Sequence, residues 1–127
     1  MAGFVEFQRA ERIPRGGGIE SVRLTPEPLD GQQFVMGVTS FPPGASIRLH
    51  SHNTIEQVTV IEGEGIAELT GGHVTARPYD RTQGAPGGLL RLINRGDSTM
   101  RILWVYGSTD VSRTFADTGE TVGQFEA

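Results

Sequence analysis

Two histidines and a glutamate crowd into one short stretch, Gly44 to Gly63, which reads GASIRLHSHNTIEQVTVIEG. A single residue separates His50 from His52, so on an extended strand their side chains share a face, and Glu56 returns to that face after a tight turn through Ser51 to Ile55. Two imidazoles and one carboxylate meeting at a point are a donor set for a divalent ion. Such a triad leaves positions open for substrate, water or dioxygen. Without metal, His50 or His52 has the chemistry of a general base and Glu56 that of its orienting partner.

The segments on either side must position these groups, and their pattern is that of short strands. Arg48 has the parity of the histidines and is expected to face the same space, meeting an anionic group or closing a salt bridge at the sheet margin. Upstream, Pro42, Pro43 and Gly44 end a strand expected over Gln33 to Phe41, where Phe34 and Met36 are candidate substrate contacts. Downstream, Thr99 to Tyr106 is the most strongly β-like run. Met100, Ile102, Trp104 and Tyr106 form one face of it, and Arg101, Leu103 and Val105 the other. Trp104 is a candidate pocket wall. Tyr106 joins the candidate catalytic residues because a phenol inside a barrel needs a hydrogen-bond partner.

Further strands are expected over Ile19 to Thr25, Ser46 to His52, Glu56 to Glu62, Ile66 to Thr70, His73 to Arg77 and Leu89 to Asn94, with a short edge strand at Phe4 to Phe7. Pro78 to Gly88 is expected to be loop-rich, and Arg95-Gly96-Asp97 to be a turn. The glycine run 16–18 is expected to be a flexible connection, since it has neither the Lys-Ser/Thr of a phosphate-binding loop nor a dinucleotide fingerprint. Residues 1–18 would then be an extension, 19–110 the barrel, and 111–127 an irregular tail or edge strand packed across it. His73, directly after Gly71-Gly72, belongs on an exposed hairpin tip and is not expected to bind metal. Eight or more short strands joined by hairpin turns imply an all-β double-sheet jelly roll or small barrel.

The composition is consistent with one soluble domain. The 127 residues are 36% hydrophobic and 20% charged, with 18 glycines and 7 prolines punctuating the apolar runs. The net charge of −4 leaves no basic stripe for nucleic acid and no polybasic patch for a membrane. Cysteine is absent, so a metal must be held by nitrogen and oxygen. No apolar run suits a signal peptide or a membrane span, and the expected location is the cytoplasm.

The spacing Gly44-x5-His50-x-His52-x3-Glu56-x6-Gly63 resembles the first conserved motif of the cupin superfamily, and the resemblance extends over about residues 33–108. It implies a double-stranded β-helix, or jelly-roll barrel, with a divalent metal inside (iron, zinc, manganese or nickel), and commonly a homodimer. His50, His52 and Glu56 then correspond to three of four metal ligands. The second motif departs from the family. Its histidine position falls on Leu90 in an ungapped alignment anchored at Asp80 and Asn94, or on Arg91 after a shift of one, and neither side chain binds metal. Either a weaker metal site remains, or the polar groups act directly on substrate. The resemblance implies lyase, isomerase, dehydratase or cyclase chemistry on a small organic molecule; the alternatives are an iron-dependent dioxygenase and a non-catalytic small-molecule-binding module.

Overall fold

The computed structural model describes residues 3–26 and 29–126. Among the described residues, twelve strands form two six-stranded antiparallel sheets. They are β1 (Arg12–Gly16), β2 (Ile19–Arg23), β3 (Val35–Phe41), β4 (His50–His52), β5 (Glu56–Glu62), β6 (Gly65–Leu69), β7 (Gly72–Ala76), β8 (Arg81–Gly84), β9 (Leu90–Ile93), β10 (Met100–Tyr106), β11 (Ser112–Phe115) and β12 (Thr121–Gly123). One sheet has the order β1-β2-β3-β10-β5-β8 and the other β12-β11-β4-β9-β6-β7. Each turns an apolar face inward. Val35, Phe41, Val58, Val60, Ile102 and Trp104 of the first sheet join one core with Ala67, Ala76, Leu90 and Leu92 of the second.

Period-two alternation decides which side chains reach that core. In β10 the set Met100, Ile102, Trp104 and Tyr106 is buried, while Arg101, Leu103 and Val105 are half-buried on the outer face. The neighbouring β3 runs antiparallel in a register that sets Val35 against Tyr106, Gly37 against Trp104, Thr39 against Ile102 and Phe41 against Met100. Odd-numbered residues of β3 therefore point inward. This corrects the expectation for Phe34 and Met36. Phe34 precedes the strand and is 48% exposed, and Met36 lies on the outer face. The reason is the indole of Trp104, which lies across Gly37 so closely that a Cβ there would fall 2.3 Å from it.

Other departures lie at the margins. Phe4 to Phe7 is not a strand: a single 3₁₀ turn spans Phe7–Arg9, and Phe4 is exposed. The glycines at 16–18 are not a loose connection but the turn between β1 and β2, with φ of 89°, 62° and 80°, values that side-chain-bearing residues rarely adopt. Buried Ile13 anchors β1 to the core side of its sheet. In the expected strand over Ser46 to His52, only His50–His52 is regular, preceded by an isolated bridge from Ser46 to Ile93. The loop-rich region after Pro78 contains β8, paired with β5. After Val111, β11 and β12 form a hairpin at the edge of the second sheet, where β11 pairs with β4. Gly96 lies in the bend between β9 and β10.

Candidate metal centre

His50 and His52 occupy the two ends of the three-residue β4, with Ser51 between them pointing the other way. The chain then crosses from one sheet to the other through Asn53, Thr54 and Ile55 and enters β5 at Glu56. The two imidazoles thus come from one sheet and the carboxylate from the facing one. All three residues are buried, at 7%, 6% and 6% exposure. Their ligand atoms lie within 4.8 Å of one another.

What the far side of each ring binds determines what the near side offers. His50 Nδ1 is 2.7 Å from the carbonyl of Arg48, and His52 Nδ1 is 3.0 Å from that of Ser112. A carbonyl only accepts, so each Nδ1 carries the proton and donates it. In the neutral rings both Nε2 atoms are then lone-pair donors turned to the same point. They stand 3.1 Å apart, and Glu56 Oε2 is 3.0 Å from His52 Nε2. Three electron-pair donors this close repel unless a proton shared between His52 Nε2 and Glu56 Oε2, or a metal cation, stands among them. A divalent ion satisfies all three, and tautomer-setting carbonyls behind the rings are the usual support of imidazole ligands. The donor set of two nitrogens and one carboxylate oxygen, with no thiolate in the chain, suits the borderline divalent transition metals.

Electrostatics reinforce the ligand form of His50. Burial pushes its imidazole below the ordinary histidine range, and neighbouring His52 pushes the same way, against the Arg48 carbonyl and the charge of Glu56. The ring is kept neutral. Tyr106, opposite Glu56 in the β10–β5 register, accepts a hydrogen bond from Gln124 Nε2 at 3.1 Å. Its ring is stacked at a tilt 4.6 Å from that of His52. Burial raises the phenol well above its ordinary range and the charge of Glu56 adds to this, so the hydroxyl keeps its proton.

The triad opens into a cavity of about 480 Å³. Apolar walls come from Phe41, Val58, Leu90, Leu92, Ile102 and Trp104, and polar groups from Thr39, Tyr106 and Gln124. Of the residues singled out in the sequence, His50, Glu56, Trp104, Tyr106 and Arg48 line this space; His52, in contact with His50 and Glu56, lines a second pocket of about 210 Å³ that shares Glu56 and Leu90 with it. Phe34 and Met36 do not. Arg48 stands at the exposed rim, where it donates to Asp117 at 2.6 Å and lies over the Phe115 ring at 3.7 Å. His73 is exposed on β7 and takes no part in the cluster. Leu90, where the sequence resemblance placed the fourth ligand, is buried and directly across from His50 in the β4–β9 register.

The sequence reading missed Arg15, Arg113 and Gln124, all on the cavity wall. They lie in segments read as an extension and a tail. One signal was present, the alternation of Val111, Arg113 and Phe115, which marks a strand with Arg113 facing inward.

Comparison with known proteins agrees with this fold. A cupin domain family model matches residues 37–106. Solved structures of similar shape include a sugar phosphate isomerase of the cupin superfamily from Silicibacter pomeroyi, at 24% identity over 98% of this chain and 88% of that one, with a TM-score of 0.77. A predicted oxalate decarboxylase from Thermotoga maritima has 23% identity over 84% of this chain and 99% of that one, with a TM-score of 0.73. A polyketide cyclase from Streptomyces resistomycificus has 21% identity over 94% of this chain and 89% of that one, with a TM-score of 0.71. At these identities the likeness is one of fold. No curated protein matches the chain by sequence. With the family model spanning the strands from β3 to β10 and the His-x-His and glutamate positions inside it, the chain belongs to the cupin family.

Proposed function

We propose that this cupin is a metal-dependent enzyme that moves protons on a small organic molecule, in a reaction of the isomerase, lyase, dehydratase or cyclase type. The observation that carries the reading is the aim of the two Nε2 atoms and Glu56 at one point beside a cavity with both apolar and polar walls, with both Nδ1 protons committed elsewhere. A divalent ion held by His50, His52 and Glu56 supplies Lewis acidity that makes a carbon next to a carbonyl easier to deprotonate.

The chain's own groups supply the rest. Val58, Leu92, Ile102 and Trp104 exclude water from the face of the substrate and strengthen each polar contact made there. Tyr106 stays protonated, with its hydroxyl directed at Glu56, and becomes a hydrogen-bond donor to a substrate oxygen that takes the place of that carboxylate. Glu56 is the buried carboxylate of the cavity, and its oxygen not engaged by the ion is the acceptor for a released proton.

The test is proton exchange in deuterium oxide. Metal-loaded protein is incubated with a panel of hydroxy ketones and keto acids and followed by NMR. The expected result is deuterium incorporation or rearrangement without consumption of oxygen, abolished by Glu56→Gln. Oxygen uptake by the iron-loaded protein would replace this reading with a dioxygenase. Ligand binding without exchange would replace it with a binding module.

A further inference from the structure

We propose that Arg15 and Arg113 form an oxyanion-binding pair that holds a carboxylate or phosphate group of the molecule occupying the cavity. The proposal rests on the preceding reading in one respect, that this cavity is where the substrate lies. It adds the substrate's class, a small organic anion.

The two arginines come from opposite sheets, Arg15 from β1 and Arg113 from β11, and both line the cavity. They converge on the same two backbone carbonyls. Arg15 Nη2 donates to the Gln124 carbonyl at 2.6 Å and Nη1 to that of Glu126 at 2.9 Å. Arg113 reaches the same pair at 3.5 and 3.2 Å. Two positive charges are thereby gathered on neutral carbonyls, with the Glu126 carboxylate acting on Arg113 from beyond ion-pair distance and Glu120 also on the cavity wall. Among the described residues neither has a carboxylate within ion-pair distance, whereas Arg9, Arg12, Arg48, Arg77, Arg91 and Arg101 each have one. Such a pair is stable as a unit when an anion bridges it.

Unspent hydrogen-bonding capacity lies at the same place. A guanidinium has five N–H groups, and these contacts use only some of them. Arg113 Nε is buried without a partner among the described residues, as is Gln124 Oε1, while the amide nitrogen of Gln124 is engaged by Tyr106. Arg15 is also held firmly. Its Nε donates to Ser21 Oγ at 3.1 Å, Ser21 shares a hydrogen bond with Thr39 Oγ1 at 2.7 Å, and Thr39 accepts from Trp104 Nε1 at 2.9 Å. A side chain fixed this way is preorganised for a ligand at little entropic cost. Burial and the charge of Arg113 lower Arg15 to about 10, and burial also lowers Arg113. A bound anion relieves both.

The placement relative to the metal centre gives the pair its use. Arg113 is opposite His52 in the β11–β4 register, and Gln124 links the arginines to Tyr106. An anionic group seated on the pair leaves the remainder of a small molecule beside the triad. Arg48, the guanidinium the sequence suggested for this task, is occupied by Asp117 at the rim.

Trp104, the only tryptophan, lines the cavity and reports binding by its fluorescence. The protein, both as purified and after chelator treatment, is titrated with benzoate, phenyl phosphate and neutral benzamide. The expected result is that benzoate or phenyl phosphate binds about tenfold or more tightly than benzamide in both preparations, the tighter of the two identifying the oxyanion. Arg113→Gln and Arg15→Gln should each erase that preference, and Arg113→Lys should keep part of it. Equal affinity for all three probes in the parent protein overturns the proposal, whatever the folding of the variants. So does an anion preference that disappears with the chelator and survives in the arginine variants, because the metal would then be the anion's partner. Arginines that serve only to hold residues 124–126 would lower thermal stability when replaced and leave the ratio of affinities unchanged. A protein that binds no metal yet shows the arginine-dependent preference contradicts the metal assignment and leaves this one standing.

Discussion

Each imidazole of the centre is oriented from behind, by a carbonyl that fixes its tautomer, and Glu56 faces both across the gap between the sheets. Opposite His50 stands Leu90, an apolar side chain at the position where the sequence resemblance placed the fourth ligand. Leu90→His should therefore tighten metal binding by about tenfold or more, measured by competition with a chromophoric chelator. Unchanged affinity would mean that β9 does not bring residue 90 to the metal. The triad was legible in the sequence because strand parity and one short turn suffice to gather it. Arg48 was not. It has the right parity, but the segment before His50 is not a regular strand, and Asp117 and Phe115 draw its guanidinium to the rim.

At the scale of elements, the centre depends on β10 being held flat against β3 and β5, since Tyr106 and Trp104 form the floor beside Glu56 and Val58. Gly37 permits this. A methyl at that position would meet the indole of Trp104 and the Val22 carbonyl at 2.3 Å, and neither the packed ring nor the strand backbone can retreat cheaply. Gly37→Ala is expected to cost about 3 kcal/mol in chemical denaturation. A loss under about 0.5 kcal/mol, as at an ordinary surface site, would show that the two strands are not packed this tightly. The same contact explains which strand features the sequence conveyed. The apolar runs of β5, β9 and β10 stand out locally, but the facing of β3 is set by a partner more than 60 residues away. The inclusion of β11 likewise comes from distant pairing, Arg113 with His52 across half the chain, whereas β1 is added locally, Arg12 pairing with Val22 across a glycine turn.

In the molecule as a whole, the two sheets together line the main cavity, and each contributes what the other lacks. Glu56, Tyr106 and Arg15 come from the first, and His50, His52 and Arg113 from the second. Loss of the packing between the sheets would separate the carboxylate from the imidazoles, so the metal centre and the barrel core stand or fall together. The most direct measurement is the metal content of the purified protein beside that of the double variant His50→Ala, His52→Ala, both determined by elemental analysis on folded material. About one divalent transition-metal ion per chain in the parent and essentially none in the variant is the expected result. Equal metal in the two proteins, or a parent that takes up none when supplied with iron, zinc, manganese or nickel, would contradict the account.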